Sequence, residues 1–399
     1  MNFVAIKMLM GDRAKYLGIL MGITFAALLI TQQLSIFIGL MSRTFGFLSD
    51  TSLPDVWVMD PKVQYIDDIK PLQDTVLYRV RGVEGVAWAM PLYKGLLKAR
   101  LQNGAFQTCN VIGLDDATLA GGPPNMVQGS LADLRRAEGV IVDEVGARTR
   151  LARFPEGPDG KPIPGAAPVP LKVGDALELN DKRAVVVGIC RVRRTFQSQP
   201  VLYTTYTRAM NFAPRERKLL SFVLVKARDG VSAAELCRRI EEANLGDDGR
   251  KRLVAMTTSD FSWKTVFYFM KYTGIPINFG IAVTLGFLVG TAIAGQTFYQ
   301  FTLDNIKQFG ALKAMGTTNL RLLGMILLQS AVVGLVGYGL GIGGAAAFGL
   351  TMGGRTELAF RLVPQTLLAT GTAIVVICML ASVMSLWRVI RLEPAVVFK

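Results

Sequence analysis

Charged side chains drop out of the chain in four long stretches, residues 16–42, 272–303, 322–354 and 362–387, which are 27, 32, 33 and 26 residues long. A helix needs about 20 apolar residues to cross the hydrocarbon core of a bilayer, so each stretch predicts a transmembrane helix. Between the first and second, residues 44–270 carry 31 of the 44 basic and 26 of the 30 acidic residues, which predicts a water-soluble domain. Its length suffices for one large or two small folding units. The expected fold class is an α-helical membrane protein with four transmembrane helices plus an α+β extracytoplasmic domain. The first apolar stretch follows Lys7, Arg13 and Lys15 but is far longer than the roughly 7–15-residue core of a signal peptide, and no A-x-A site follows it. It reads as an uncleaved anchor.

Two similar patterns bracket the soluble stretch. The first is a strand DVWVM (55–59), a helix from about Pro71 with Leu72, Val76 and Val80 on one face and Gly82 as its stop, and a strand near 85–101. The second is a strand SFVLVKA (221–227), a helix opened by Ser232-Ala-Ala-Glu235 with Ala233, Leu236, Cys237 and Ile240 at helical spacing, and a strand RLVAMTT (252–258). Two strand-helix-strand units of this kind, each beside a membrane span, predict one split sheet with the middle inserted as a separate lobe. That middle begins after Gly121-Gly-Pro-Pro124 and passes through a loop with Pro155, Pro158, Pro162, Pro164, Pro168 and Pro170. ALEL, the turn Asn180-Asp181 and AVVVGI follow and predict a β-hairpin. The basic run Arg191, Arg193, Arg194 reads as a solvated strand end.

Short basic segments set orientation in the membrane. Residues 1–15, the 304–321 connection (Lys307, Lys313, Arg321) and the tail (Arg388, Arg391, Lys399) each carry three Lys or Arg, which places them in the cytoplasm and residues 44–270 outside. Both termini are expected inside, in a multi-pass protein of the cytoplasmic (inner) membrane. No charge lies within the spans, which argues against a proton relay, a charged ion path or a voltage sensor. Gln32, Gln33, Gln296 and Gln300 read as interhelical hydrogen bonds or interfacial anchors. Gly18 with Gly22 and Gly286 with Gly290 each form a G-x-x-x-G, and Gly337 with Gly341 repeats it. Such glycines predict close approach of the first and second spans, within or between protomers.

Composition narrows the chemistry. The net charge is +14, yet the soluble stretch carries only +5, spread along its length, so nucleic acid is not an expected partner. Histidine is absent, which removes His-dependent triads and the commonest zinc sites; no catalytic, metal or cofactor-binding residue is assigned. Three cysteines, Cys109, Cys190 and Cys237, fall in the soluble stretch and Cys378 in the last span, an arrangement that reads as buried free thiols.

The connection 303–330 is the most specific segment. Ile306, Phe309, Leu312 and Met315 recur at every third residue, and Gly316-Thr-Thr318 is a natural helix stop, so a short surface helix turns sharply into the third span. Lys307-Gln-Phe-Gly-Ala-Leu-Lys-Ala-Met-Gly-Thr317 resembles the coupling-helix motif of FtsX/MacB-type ABC transporter permeases, which include the DevC-like export group that works by mechanotransmission (type VII). Gln308 stands where that family has Glu. Arg391-Leu-Glu-Pro-Ala-Val-Val-Phe-Lys399 is similar to the family's closing segment, with Val397 in place of an acidic residue, and Ala5-Ile-Lys-Met-Leu with Arg13 to Thr24 is similar to its opening helix and first span.

The resemblance implies the following organisation. Residues 1–43 form an N-terminal amphipathic helix and the first span. Residues 44–270 form the outer domain, with porter-like halves at about 51–114 and 206–262 around a lobe at 115–205. Spans two, three and four occupy 271–303, 318–354 and 362–387, the coupling helix 304–317 and the tail 388–399. It also implies the function: a homodimeric transport subunit, not an enzyme, that transmits ATP-driven motion of a separate ATPase to the outer domain for export, often with a periplasmic adaptor. ATP and Mg²⁺ belong to the ATPase, in keeping with the lack of a G-x-x-x-x-G-K-[ST] in this chain. The residues expected to meet the ATPase are Lys307, Gln308, Phe309, Gly310, Leu312, Lys313, Met315 and Gly316. Those expected to pack helices or dimerise are Gly18, Gly22, Gly286 and Gly290. The alternatives are an FtsX-like regulator of periplasmic wall hydrolases and, from a different class, a membrane sensor or receptor.

Overall fold

The computed structural model describes residues 2–101, 104–155, 163, 166–214, 219–247, 249–355 and 358–390. In chain order the elements begin with α1 (Asn2–Gly11), α2 (Arg13–Thr44), α3 (Gly46–Asp50), β1 (Val56–Met59), α4 (Thr75–Arg81), β2 (Val86–Arg100), β3 (Phe106–Leu114) and β4 (Asn125–Gln128). A 3₁₀ turn (Leu131–Arg135) precedes β5 (Gly139–Asp143), α5 (Glu144–Arg148), β6 (Ala176–Leu179), β7 (Lys182–Arg191), β8 (Val201–Thr205) and α6 (Tyr206–Phe212). The remainder is β9 (Phe222–Ala227), α7 (Ala233–Glu242), β10 (Val254–Thr257), α8 (Thr258–Tyr272), α9 (Ile275–Asp304), α10 (Ile306–Ala314), α11 (Asn319–Arg355) and α12 (Pro364–Ile390). They fall into two units, Met1–Leu40 with Thr273–Lys399, and Met41–Tyr272.

The helical unit contains the spans. Among the described residues four helices are long and apolar enough to cross a membrane, Arg13–Thr44, Ile275–Asp304, Asn319–Gly353 and Pro364–Val383. The tail Arg391–Lys399 and Pro158, Pro162 and Pro164 of the proline-rich loop lie outside the described residues.

In the second unit the two strand-helix-strand patterns interleave. The strand order β10-β1-β9-β2 is antiparallel throughout and places β1 between two strands from the other end of the domain. Such a strand is covered on both faces, which is why VWVM carries no polar position. Val56 and Val58, with Val223 and Val225 of β9, pack beneath α4 and α7 against Val76, Val80, Leu236 and Ile240. Trp57 and Met59, with Phe222 and Leu224, face the other way. Ser232 caps α7 by accepting from the Glu235 N–H at 3.2 Å.

The lobe is a closed barrel. β2 pairs with β3, β3 with β8, β8 with β5, β5 with β7, β7 with β6, and β6 returns to β2, while β4 lies on the edge of β7. Leu97, Cys109, Val111, Val142, Leu179 and Val186 fill its interior. The β6–β7 turn takes positive φ at Asn180 (47°) and Asp181 (60°), as a two-residue hairpin requires. The lobe therefore begins earlier than the expected residue 115. β2 runs unbroken for 15 residues, pairing first with β9 and then with β3, so its second half and β3 belong to the barrel rather than to the porter-like half expected over 51–114. Of the basic run, Arg191 pairs with Glu144 at 2.9 Å and Arg193 with Asp50 at 3.6 Å, both structural contacts.

One aromatic cluster joins the layers of this unit. Trp57 of β1 packs against Phe47 of α3 at 6.0 Å, Phe222 of β9 at 5.7 Å and Phe261 of α8 at 6.1 Å between centroids. Its indole N–H donates to Thr258 Oγ1 at 3.2 Å. The buried Lys94 pairs with Asp67 and lies 5.7 Å over the Phe47 ring. Asp50, at the end of α3, is buried and accepts from the Arg193 backbone N–H at 2.6 Å. Asp143 is buried likewise, accepting from the N–H groups of Gly146 and Val201 at 2.7 Å each.

Burial raises the Asp50 carboxyl above its ordinary 3.8, against the lowering effect of the Arg193 hydrogen bond and charge. Its folded form thus holds a proton more tightly than the unfolded chain does. The stability it contributes is greatest below pH 3.8 and declines as pH climbs from there to the raised value. Asp50→Asn keeps an acceptor for Arg193 and removes this titration. The melting temperature of the wild-type chain minus that of Asp50→Asn, followed in detergent from pH 4 to 7, should therefore fall with rising pH; a rising difference would refute the assignment.

Candidate coupling site

The short helix α10 is fastened to the helical unit by its own apolar face. Phe309 is fully buried and packs with Ala5 of α1 and Leu322, Met325 and Ile326 of α11, with Leu312 and Met8 alongside. Gly310 is buried next to it. At the other side of this cluster the Gln329 side chain, itself buried, donates to the Ala5 carbonyl at 2.8 Å, so α1 and α11 are tied directly. The helix ends where Gly316 adopts φ 88°, a left-handed conformation that suits glycine, with the Gly316 and Thr317 N–H groups returning to the Lys313 and Leu312 carbonyls at 3.0 and 3.1 Å.

This arrangement corrects the expectation that Phe309 is an anchor for a partner. A three-residue spacing drifts around a 3.6-residue helix, so Ile306, Phe309, Leu312 and Met315 do not share one face. Phe309 and Gly310 point inward, Leu312 and Lys313 are half-buried, and Lys307, Gln308, Ala311, Met315 and Gly316 are exposed. Met315, 74% exposed, is the large apolar side chain on that open face, and Leu320 (77%) and Arg321 lie just beyond the turn. At the ends of the first two spans Lys15 pairs with Asp12 at 2.9 Å and also with Asp304, which joins the start of α2 to the end of α9.

The predicted glycines lie at contacts within one protomer. A methyl built on Gly290 would fall 2.4 Å from Ala26 Cβ, and one on Gly22 2.5 Å from Ile293, so α2 and α9 touch at backbone distance. Gly286 meets Leu29 at 3.4 Å and Gly18 meets Thr297 at 3.6 Å, ordinary contacts. The third pair does the same on the other side of α2. Gly341 would place a methyl 2.4 Å from Ala27 Cβ and 2.8 Å from the Leu28 nitrogen, and Gly337 one 2.7 Å from Ile23. The first span is thus held between glycines of the second and third. Gln32 and Gln33 are half-buried, and Gln296 and Gln300 exposed.

Sequence reasoning missed Gln329, the Lys15–Asp304 pair and the weight of Gly337 and Gly341. A signal for each was present: a lone amide in an apolar span, opposite charges at two span ends, and a G-x-x-x-G as good as the other two. In the sheet-bearing unit burial keeps the thiols protonated. Burial holds Cys109 up at about 12, with the Asp143 charge adding to it, and holds Cys237 at about 12 as well.

Comparison with known proteins places both units. Residues 17–243 match the MacB-like periplasmic core domain family and residues 279–394 the FtsX-like permease C-terminal family. An uncharacterized ABC transporter permease of Methanocaldococcus jannaschii is 25% identical over 168 residues, 42% of this chain and 41% of that protein, so the match spans about two fifths of the relative. Among solved structures, the periplasmic region of MacB from Actinobacillus actinomycetemcomitans aligns at 15% identity with a TM-score of 0.36 over 54% of this chain and 92% of its own. The extracellular domain of the noncanonic ABC-type transporter YknZ from Gram-positive bacteria aligns at 11% identity and 0.33 over 51% and 99%.

Two sets of variants check this geometry. Gly290→Ala and Gly341→Ala should each destabilise the helical unit by about 1–3 kcal/mol through overpacking, while Gly18→Ala should leave it unchanged. Thermal denaturation of the full chain in detergent, followed by size-exclusion profile, distinguishes the two groups. Phe309→Ala opens a cavity between α10, α1 and α11 and should cost about 3–5 kcal/mol of stability, read in the same assay. A Phe309→Ala chain that melts like the wild type would place that side chain outside the core.

Proposed function

Because the chain belongs to the family of FtsX/MacB-type permeases that carry the MacB-like periplasmic core domain, we propose that it is the membrane subunit of an ABC transporter and transmits the closure of a separate ATPase to its soluble domain to drive export. The ATPase supplies the ATP and Mg²⁺ site. The permease works as a homodimer in the inner membrane, with both termini and α10 in the cytoplasm, the sheet-bearing unit outside it and a periplasmic adaptor engaged there. The orientation rests on the Lys and Arg of residues 1–15, 304–321 and the tail.

The observation that carries this reading is the construction of α10. A docking helix that slid or tilted on its own would dissipate a push, whereas one whose Phe309 is locked among α1 and α11 moves those helices with it. Its outward face offers Met315 as an apolar knob with Lys307, Gln308 and Ala311 around it, the mix of a central anchor and a polar rim that protein partners use. The ATPase therefore meets Met315, Gln308 and Ala311, with Lys307 and Lys313 as a basic margin, while Phe309, Gly310 and Leu312 hold the helix in place behind them. Gly316 sets the turn into α11.

Met315→Asp combined with Ala311→Asp tests this. Both positions are exposed, so the chain should fold and insert normally. Loss of a central anchor costs about 2 kcal/mol or more, roughly 30-fold in affinity. The variant should fail to co-purify with its ATPase and fail to stimulate ATP hydrolysis. Normal co-purification and stimulation would move the coupling to α1 or the tail.

A further inference from the structure

α11 and α12 touch closely along the line of Gly334 and Gly371. A methyl on Gly334 would lie 2.7 Å from Cys378 Sγ, and Gly371 packs on the Tyr338 ring. Beside that line the two helices leave a groove of about 760 Å³, bounded by Leu327 to Tyr338 on α11 and Leu367 to Met379 on α12. Twelve residues of helix rise roughly 17 Å, close to the ~15 Å depth of one bilayer leaflet's hydrocarbon. The volume lies within the roughly 300–1,000 Å³ of small-molecule sites.

We propose that this groove is a binding site for one acyl chain of a bilayer phospholipid. Every hydroxyl on its wall is already bonded within its own helix or to the facing one: Ser330 donates to the Leu327 carbonyl at 3.0 Å, Thr372 to Leu368 at 2.9 Å and Tyr338 to Leu367 at 2.9 Å. The occupant therefore has nothing polar to bond, and an aliphatic chain satisfies the lining. Both walls are membrane spans, so hydrocarbon is the medium that reaches the groove. A helix of a second copy fits less well. The two glycines that line the groove, Gly334 and Gly371, are spent on the α11–α12 contact, the open Gly339 and Gly343 of α11 are not part of its lining, and the rim carries long exposed side chains such as Leu335 and Leu368. A methylene chain bends around such a rim. The site stands independently of the coupling role of α10.

Phosphatidylglycerol with a diazirine in its acyl chain, doped into nanodiscs of phosphatidylethanolamine and phosphatidylglycerol holding the full chain, tests the proposal. After irradiation the label should concentrate on residues 327–338 and 367–379, at least fivefold over Leu285 and Leu288 of α9, which are also exposed. Ala331→Phe and Thr372→Phe, at exposed positions on opposite walls, should each lower that labelling several-fold, whereas Leu350→Phe on the same span should not. If one filled variant fails to fold, the other still reads the site. Labelling equal to that of α9, or insensitive to both fillings, would reduce the groove to ordinary lipid-facing surface. Disulfide crosslinking between copies through Ala331→Cys or Thr372→Cys, in a chain lacking the native cysteines, would seat a second copy there and overturn the proposal.

Discussion

The packing of Trp57 against Phe47, Phe222 and Phe261 is the contact on which the sheet-bearing unit depends, because it gathers three layers at one side chain. Phe47 sits on α3, which follows the first span after a single residue, and Phe261 on α8, which precedes the second span by two. β1 and β9 supply the other two rings. Aromatic pairs at these separations add about 0.5–1.5 kcal/mol each beyond their burial, and the indole N–H finds Thr258 at the first turn of α8. The segments that lead to the membrane are therefore fixed to the sheet by dense, directional contacts, and the barrel is drawn in through Asp50 and the Arg193 backbone.

The helical unit follows the same logic with different chemistry. In lipid there is no hydrophobic drive to press helices together, so close packing and satisfied polar groups do the holding. α2 is gripped at Ala26 and Ala27 by Gly290 and Gly341, contacts so short that any larger residue would have to push the helices apart. Buried hydrogen bonds reinforce the bundle, Thr31 with Thr370 and Thr302 with Ser385, and Gln329 ties α11 to α1. Phe309, buried among α1 and α11, fastens α10 to them.

Much of this was legible in the chain itself because it depends on local periodicity. The spans follow from the absence of charge over 26 to 33 residues, the α7 cap from Ser232 three residues before Glu235, and the hairpin from Asn180-Asp181 between two apolar runs. The split sheet followed from two strand-helix-strand patterns that could not each bury both faces alone. What escaped was anything set by register between distant segments. β2 reads as one strand whether its partners come from one sheet or two, so the barrel and its true starting point were invisible. The face of α10 that turns inward was misread for a related reason, since Phe309 looks the same in sequence whether α1 and α11 or another protein covers it.

The sequence by itself determined which segments are apolar enough to enter a membrane, the strand-helix-strand pattern at each end of the soluble stretch, and that glycines would bring spans together, because these are properties of neighbouring residues and of side-chain size. Only the tertiary structure decided that the glycine contacts lie within a protomer, that β2 belongs to two sheets, and that Phe309 is a fastening while Met315 is the exposed knob. Each of those outcomes turns on which distant surface covers a given side chain. An apolar residue is driven to leave water or find a partner with nearly the same free energy in every case, so composition and spacing do not distinguish among partners, and the three-dimensional packing does.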